Sequence, residues 1–513
     1  MNARAIDFAA WTAGAVLLAF FAGCAGVPPD VLPTQRPNIL VIISDDQSWL
    51  YTGVAGDSVV KTPSIDRLAR EGVYFTHAFS PAPSCSPTRA ALLTGQDIWR
   101  LGPAANQAGP LDAEYAVYPD LLALAGYAVG FTGKGWAPGD VGPTGRSRNP
   151  AGEQFTAFGD RDVAANFQAF LDSLPGDAPF CFWVGSRYPH RPFSSDPANA
   201  HPIDTNRLAV PPVWPDKDRV RGDIAAYLRD VENFDQQVGA VMNLLETRGL
   251  LDNTLVVVTS DNGMPFPRAK ANLYDLGTRV PLVVYWKGRA LGGRVVDDFV
   301  SLIDLAPTFV EAAGRKPPSD MTGSSLMEIL ASASTGRIDS DRDFVVTGRE
   351  RHAASRRDHT GYPSRAIRTH AYLYIRNYEP GRWPAGDPPV FGDVDSWNSS
   401  YSAATKDYIS AFQTNPYVQP FFDLCFAKRP AEELYDVRQD PYQIENLLVR
   451  REGAGASSPA DYEKIRKELA DRLDKYLRKT RDPRATGQPA PWDTAPIPGA
   501  VFNPPQADDA DEE

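Results

Sequence analysis

The stretch NILVIISDD at residues 38–46 decides the fold class of this chain of 513 residues. Its uninterrupted apolar run is typical of a strand buried on both faces of a parallel sheet. A second such run, LVVVTSDNG at residues 255–263, has the same character. Strand and helix patterns alternate around these runs, which predicts an α/β fold with a doubly wound sheet and ligands collected at the carboxyl ends of its strands.

Both runs end in hard oxygen ligands. Asp45 and Asp46 close the first run, and the pair Asp261 and Asn262 follows the second. Carboxylate and amide oxygens suit a hard divalent cation, so the four side chains together predict an all-oxygen site of the calcium type.

A third feature is the motif Cys-x-Pro-x-Arg within SCSPTRAALLTG, residues 84–95. Pro87 suits a first helical turn and Gly95 ends the segment, so Cys85 is predicted to sit where a loop enters a helix, with Arg89 one turn further on. Soft sulfur is a poor ligand for a hard cation. If Cys85 belongs to the calcium-type site, we therefore expect that it does not act as a thiol; the alternative is a buried cysteine beside a helix start.

These motifs resemble those of the formylglycine-dependent sulfatases of the alkaline-phosphatase-like superfamily, from about Arg36 to Asp482. The chain is most similar to the sulfamidase (N-sulfoglucosamine sulfohydrolase) branch, through SDNGMPFP at residues 260–267 and ELYDVRQDP at residues 433–441. The resemblance implies a large doubly wound mixed sheet flanked by helices and a smaller C-terminal α+β domain with an antiparallel sheet.

The resemblance also implies the chemistry at residue 85. A modifying enzyme would convert Cys85 to formylglycine, and one hydroxyl of the hydrated aldehyde would attack sulfur while bound to Ca2+. The residues that would hold this cation are Asp45, Asp46, Cys85, Asp261 and Asn262.

Four further residues take catalytic roles by resemblance. Arg89 would orient the modified side chain, and Lys134 would contact both that side chain and the sulfate. Lys270 would hold a sulfate oxygen, and His190 would protonate or stabilise the leaving amine or alcohol. Without the resemblance, the lysines would be interpreted as solvated residues and the histidine as an ordinary loop residue.

Residue 136 departs from the family pattern. Related sulfatases usually carry a histidine two positions after the lysine that matches Lys134, where it supports collapse of the diol, but this chain has Trp136. We expect another group to accept the proton, with His352 and His359 of the second domain as candidates. The alternatives are slow turnover and a degraded relative.

The resemblance implies a sulfated saccharide as substrate, with N-sulfoglucosamine of heparan-type glycans as the first expectation. Lys270 stands where sulfamidases can carry arginine, which leaves an O-sulfated polysaccharide open. Two other hypotheses about the function are a phosphonate or phosphate ester hydrolase on the same fold and an inactive glycan-binding relative.

Changes in amino-acid composition along the chain predict its domain boundaries. We expect an N-terminal catalytic domain over residues 37–343, a C-terminal subdomain over residues 344–482 and a loose acidic, proline-rich tail over residues 483–513. The subdomain contains an arginine-rich stretch. Because arginine suits sulfate groups, candidate substrate contacts are Arg349, Arg365, His352 and His359; solvated surface is the alternative.

The first residues read as an export signal, residues 1–24, with an apolar stretch from about Phe8 to Phe21. The sequence Phe21-Ala22-Gly23-Cys24 resembles a bacterial lipobox. We therefore expect Cys24 to carry a lipid that anchors the chain to a membrane, followed by a tether over residues 25–36. This implies an exported protein of the bacterial periplasm or outer membrane; an ordinary cleaved signal peptide is the alternative.

Composition limits the partners. A net charge of −12 argues against a general nucleic-acid binder and means that any attraction of an anionic substrate must be local. Four cysteines do not make a disulfide framework in a chain of this size. We expect Cys181 and Cys425 to be free and buried, although a bond between them stays open.

Overall fold

The computed structural model describes residues 36–194, 203–394, 403–449 and 459–495, which belong to one compact unit. The predicted signal segment with Cys24, nearly all of the predicted tether and the end of the predicted tail lie outside the described residues. Among the described residues, no helix combines the length and apolar character that crossing a membrane requires.

A mixed sheet of eight strands forms the larger layer. Its strands are β1 (Asn38–Ser44), β2 (Val73–Phe79), β3 (Ala128–Gly133), β4 (Glu153–Gln154), β5 (Phe180–Gly185), β6 (Thr254–Ser260), β7 (Leu282–Tyr285) and β8 (Arg294–Ser301). Their order is β4-β3-β5-β1-β6-β7-β2-β8. All neighbours pair parallel except β7, which is antiparallel to both β6 and β2.

Helices surround the sheets. Those within the described residues are α1 (Pro63–Glu71), α2 (Cys85–Thr94), α3 (Tyr118–Leu124), α4 (Val163–Asp172), α5 (Asp218–Thr247), α6 (Asp275–Thr278), α7 (Leu305–Ala312), α8 (Met327–Ala331), α9 (Ala404–Ala411), α10 (Gln419–Phe426) and α11 (Pro459–Lys479).

The two faces of β1 explain why every position of its run is apolar. Ile39 and Val41 belong to a core that includes residues of α2, α3 and α7, whereas Leu40 and Ile42 belong to a second core with residues of α1, α4 and α5. The strand is thus buried on both sides, as the sequence predicts.

A second sheet has four antiparallel strands, β9 (Phe344–Arg349), β10 (Ser364–Thr369), β11 (Tyr372–Asn377) and β12 (Glu432–Asp436), in the order β12-β11-β10-β9. The predicted fold class is therefore confirmed. Ile367 of β10 and Leu473 of α11 belong to the same apolar core as Ile39 of the larger sheet. The proposed domain boundary at residues 343/344 stays a prediction.

The cysteines follow the expectation. Cys85, Cys181 and Cys425 are free and buried. Cys181 lies in β5, and the Cys425 thiol lies in α10, 3.5 Å from the carbonyl oxygen of Val213.

Candidate active site at the carboxyl ends of the central strands

The register of β1 and β6 brings the predicted oxygen ligands together. The two strands pair in parallel from Asn38 opposite Thr254 to Ser44 opposite Ser260, so the acidic residues that follow each strand emerge side by side. The backbone N–H of Asp46 donates to Oδ1 of Asp261 over 3.0 Å, and Nδ2 of Asn262 donates to Oδ1 of Asp46 over 2.6 Å.

Cys85 lies at the start of a helix beside this cluster, as predicted. It is the first residue of α2, which Gly95 caps in the left-handed region with φ of 66°. The Cys85 Sγ atom is 3.4 Å from Oδ1 of Asp45 and 3.8 Å from Oδ1 of Asp46. Burial raises the pKa of this thiol well above its ordinary value, so the unmodified side chain is a poor nucleophile here.

The donor set fits a hard cation. One atom from each of Asp45, Asp46, Cys85 and Asp261 lies within 4.8 Å of every other. Asn262 adds an amide oxygen: its Nδ2 donates to Asp46 and to Gly263, whereas its buried Oδ1 has no hydrogen-bond partner among the described residues. Three carboxylates and an orphaned amide oxygen are the ligand types that calcium prefers.

Arg89 and Lys134 supply positive charge on one side of the cluster. Nε of Arg89 donates to Oδ2 of Asp261 over 2.8 Å, and its Nη1 donates to the carbonyl oxygen of Lys134 over 2.6 Å. Nζ of Lys134 donates to both carboxylate oxygens of Asp45, over 2.7 and 2.6 Å. Burial alone would raise the pKa of Asp45, but the neighbouring cations, Lys134 foremost, hold that pKa well below its ordinary value.

Lys270 and His190 approach from two loops. Nζ of Lys270 donates to Oδ2 of Asp46 over 2.8 Å, and Nε2 of His190 is 3.8 Å from the same oxygen. The lysine is almost fully buried, whereas the histidine side chain is 33% exposed. The structure therefore gathers every residue predicted for the catalytic and metal sites around one point, although it does not by itself test their roles.

The ends of β3 and β5 hold Lys134 in place. The backbone N–H of Lys134 donates to the carbonyl oxygen of Gly185 over 2.7 Å. A Cβ added at Gly185 would lie 1.8 Å from the Lys134 carbonyl oxygen, so the backbones approach as closely as glycine allows. The same oxygen accepts a hydrogen bond from the indole of Trp183 over 3.0 Å.

Residue 136 provides no proton acceptor. Trp136 is fully buried in the apolar core, and its backbone N–H and C=O pair with the side chain of Asn149, each over 3.1 Å. Of the two histidines proposed in its place, His359 is exposed on the 3₁₀ turn Arg357–His359, whereas His352 is buried. Nδ1 of His352 lies 2.6 Å from the hydroxyl oxygen of Ser84.

The two arginines predicted to contact substrate are buried in ion pairs. Nη2 of Arg349 contacts Asp393 over 2.6 Å. Arg365 is fully buried between Asp482 and Glu350, with both distances 2.7 Å. These carboxylates occupy the guanidinium groups, which favours a structural role; a contact with substrate stays a prediction.

One contributor was missed by the sequence reasoning. Oε1 of Gln107 accepts hydrogen bonds from the Ser84 hydroxyl and the Ser86 backbone N–H, both over 3.0 Å. Its backbone N–H donates to the carbonyl oxygen of Arg351 over 2.9 Å. Gln107 thus joins the start of α2 to the loop of His352, a contact between distant segments that no local motif signals.

Comparisons with known proteins agree with this architecture. The sulfatase family model matches residues 37–315, and a model described as "N-sulphoglucosamine sulphohydrolase, C-terminal" matches residues 268–384. An ulvan-active sulfatase of Formosa agariphila is 28% identical over 459 residues, covering 88% of this chain and 81% of its own length.

Two further relatives extend the similarity. The human N-sulphoglucosamine sulphohydrolase is 27% identical over 481 residues, covering 87% of this chain and 91% of its own length. A solved structure of BT4656, in complex with its substrate D-glucosamine-2-N,6-O-disulfate, superposes with a TM-score of 0.60 at 19% identity, covering 87% of this chain and 99% of that chain. The last similarity concerns the fold alone.

Proposed function

Because the chain belongs to the sulfatase family, we propose that it hydrolyses sulfate esters or sulfamates of a sulfated saccharide through a modified Cys85. The observation that carries this proposal is the position of the Cys85 Sγ atom, 3.4 Å from Asp45, inside a cluster of three carboxylates. In that setting the side chain would meet both a hard cation and the anionic group of a substrate.

The local charges support an anionic substrate. Asp45, Asp46 and Asp261 are balanced by the three cations Arg89, Lys134 and Lys270, with which they form buried ion pairs. A divalent cation added to this balanced set would give the site an excess positive charge. Since the whole chain carries a net charge of −12, this site would attract sulfate locally rather than through the global field.

Asp45, Asp46, Asp261 and Asn262 would hold a Ca2+ ion, and formylglycine at residue 85 would supply the attacking hydroxyl. Arg89, fixed by Asp261, orients the side chain at residue 85. Lys134 and Lys270 bind the sulfate oxygens and offset the negative charge that grows on them. His190, as the imidazolium, gives its Nε2 proton to the leaving nitrogen or oxygen when the bond to sulfur breaks, and its Nδ1–H stays on the Arg191 carbonyl oxygen.

Trp136 cannot accept the proton, and we assign this role to His352. Oε1 of Gln107 accepts the Ser86 N–H, so it also accepts the single Ser84 hydroxyl proton. We assign Nδ1 of His352 as the donor to the Ser84 hydroxyl oxygen, an arrangement in which the lone pair of the neutral ring is on Nε2. Ser84 directly precedes Cys85, which is why we favour His352 over His359.

N-sulfoglucosamine of heparan-type glycans is the proposed substrate. It is supported by the C-terminal family model over residues 268–384 and by the human relative at 27% identity. The ulvan-active relative supports an O-sulfated polysaccharide as the second candidate.

Sulfate release from matched substrates tests the function. The chain is co-expressed with a formylglycine-generating enzyme. Ion chromatography then measures sulfate released from N-sulfoglucosamine, sulfated ulvan oligosaccharides and an aryl sulfate. Hydrolysis of an aryl phosphate diester is followed by the phenol that it releases. We expect metal-dependent sulfate release that the Cys85→Ala variant abolishes. Preferred turnover of the phosphate diester would favour a phosphonate or phosphate ester hydrolase, and no turnover by fully modified protein would favour a glycan-binding relative.

We also propose that the protein is exported and anchored through a lipid on Cys24, in the periplasm or at the outer membrane of a bacterium. The lipobox-like residues Phe21 to Cys24 support this proposal. Metabolic labelling with a palmitate analogue should mark the wild type but not the Cys24→Ala variant. A wild type without label would contradict the anchor.

A further inference from the structure

Arg191, the residue after His190, lies in a loop but is buried, and its guanidinium forms several hydrogen bonds. Its side chain is 3% exposed, and its Nη1 and Nη2 each donate to one oxygen of Asp223 over 2.8 Å. Nε donates to the carbonyl oxygen of Pro265 over 3.1 Å. Two-pronged pairs of this kind fix the orientation of a guanidinium as well as its position.

We call the ion pair of Arg191 with Asp223 the Arg191–Asp223 clamp. Aromatic rings and a second helix also contact these two side chains. The Arg191 guanidinium lies 4.2 Å from the ring centre of Phe193 and 4.8 Å from that of Phe266. Asp223, on α5, also accepts hydrogen bonds from the backbone N–H and the hydroxyl of Thr405 at the start of α9, over 3.0 and 2.7 Å. Removal of Arg191 would therefore leave a buried carboxylate with only part of its partners.

The clamp continues directly into His190. Nδ1–H of His190 donates to the carbonyl oxygen of Arg191, so the main chain of the clamped residue fixes the direction of the imidazole, and the imidazolium form carries its second proton on Nε2. Nε2 then faces the site, 3.8 Å from Asp46. The position of this nitrogen depends on the position of the Arg191 backbone, which the Asp223 pair fixes.

We propose that Arg191 is a positioning residue that acts through His190 and that the Arg191–Asp223 clamp decides which leaving groups the enzyme can release. The inference rests on the proposed sulfatase function. When the S–O or S–N bond breaks, its electron pair goes to the leaving atom, and a sugar hydroxyl or amine needs the His190 proton at that moment. A nitrophenolate is a stable anion and leaves without a proton.

The expected signature is therefore selective. Arg191→Lys keeps a positive charge but loses the two-pronged pair, so the imidazole shifts. We expect kcat for a sugar sulfate or sulfamate to fall on the order of tenfold to a hundredfold, because small misplacements of catalytic groups cost rates of that size. We expect kcat for 4-nitrophenyl sulfate to change less than about threefold, because that leaving group makes little use of a proton donor. Asp223→Asn, which disturbs the clamp from its other end, should reproduce the pattern.

A double-mutant cycle separates positioning from general damage. In a His190→Ala background, Arg191→Lys should cause no further loss on the sugar substrate, because both changes remove the same interaction. The matched control is Arg342→Lys, which weakens another buried arginine–aspartate pair, Arg342 with Asp304 over 2.7 Å, and should leave the ratio of the two substrates unchanged.

The outcomes are distinguishable. Equal losses on both substrates, or losses that multiply with those of His190→Ala, would overturn the positioning role while leaving the sulfatase function intact. A fully modified wild type that releases sulfate from neither substrate would instead contradict the proposed function. If Arg191→Lys lowers the melting temperature strongly, the Asp223→Asn variant provides the decisive ratio.

Discussion

At residue 136 the chain departs from the sulfatase pattern, and the proposed proton acceptor lies in another segment. Trp136 fills apolar space, and its backbone pairs with Asn149. An indole N–H donates but does not accept a proton, which is why we assign the acceptor to another segment. The Ser84 hydroxyl oxygen lies 2.6 Å from Nδ1 of His352. This contact connects the loop after β9 to the residue that precedes Cys85.

We predict different effects for two histidine substitutions. His352→Ala should lower steady-state turnover about a hundredfold, the usual range for loss of an acid–base group. Since only the later proton transfer is affected, rapid-mixing experiments should show a burst of released alcohol before the slow phase. His359→Ala serves as control and should retain wild-type rates. Full turnover by His352→Ala would refute the assignment.

The residues that a local pattern marks could be predicted, and those defined by distant contacts could not. Asp45, Asp46, Asp261 and Asn262 end apolar runs, so their chemistry is visible in the sequence. The partners of Arg191 lie 32 residues away in Asp223, which in turn binds Thr405 a further 182 residues along. No spacing rule connects such segments before the helices have packed.

At the scale of elements, the site depends on how closely β3 and β5 approach at their carboxyl ends. Gly185→Ala would place a Cβ 1.8 Å from the Lys134 carbonyl oxygen, so the two strand ends must separate. Because Arg89 and Trp183 also bind this oxygen, we expect Lys134 to move and kcat/KM to fall by at least about tenfold.

Gly222→Ala is the control for this strand-end prediction. Gly222 lies in α5, where an added Cβ would meet no atom within 4 Å, and alanine favours a helix over glycine. Activity assays and thermal melts of both variants decide the matter. Wild-type kinetics in Gly185→Ala would contradict the close approach.

A buried carboxyl makes the docking of α11 sensitive to pH. Both oxygens of Asp97 lie 3.2 Å from the Tyr476 hydroxyl of α11, and burial raises the pKa of Asp97 from 3.8 to about 7. A raised pKa means that the folded state holds the proton longer, so stability falls as pH rises from near 4 towards about 7.

Asp97→Asn should remove that loss. The amide keeps an oxygen for Tyr476 but carries no charge, so the variant should melt at a higher temperature than the wild type at pH 8, by a few degrees, and more nearly equally at pH 4. Melting curves across this pH range measure the difference. A wild type with unchanged stability between pH 4 and 8 relative to the variant would contradict the buried, protonated carboxyl.

The fold class was predictable because its signals repeat along the chain. Runs such as that of β1 are apolar at every position, and the structure buries them on both faces. The ion pairs of Arg349 and Arg365 were not predictable, since an arginine-rich stretch has the same composition whether its partners are sulfate groups or the chain's own carboxylates.

At the scale of the whole molecule, the net charge of −12 opposes the approach of a polyanion, whereas the proposed site with its divalent cation would attract one sulfate group locally. Salt screens exposed charges strongly, with a Debye length of about 30 Å at 0.01 M and about 8 Å at 0.15 M, and buried charges much less. We therefore expect kcat/KM for a polysulfated oligosaccharide to rise at least about twofold over this range, relative to a monosulfated sugar. A steep fall with salt would indicate an extended basic surface instead.

Catalysis by the proposed mechanism depends on an oxidised side chain at residue 85 within the cation site. The most direct measurement is specific activity against the fraction of Cys85 converted to formylglycine, determined by mass spectrometry of the peptide that contains it, across preparations with different amounts of the modifying enzyme. We expect a straight line through the origin. Activity that persists at zero conversion, or that does not follow the modified fraction, would contradict it.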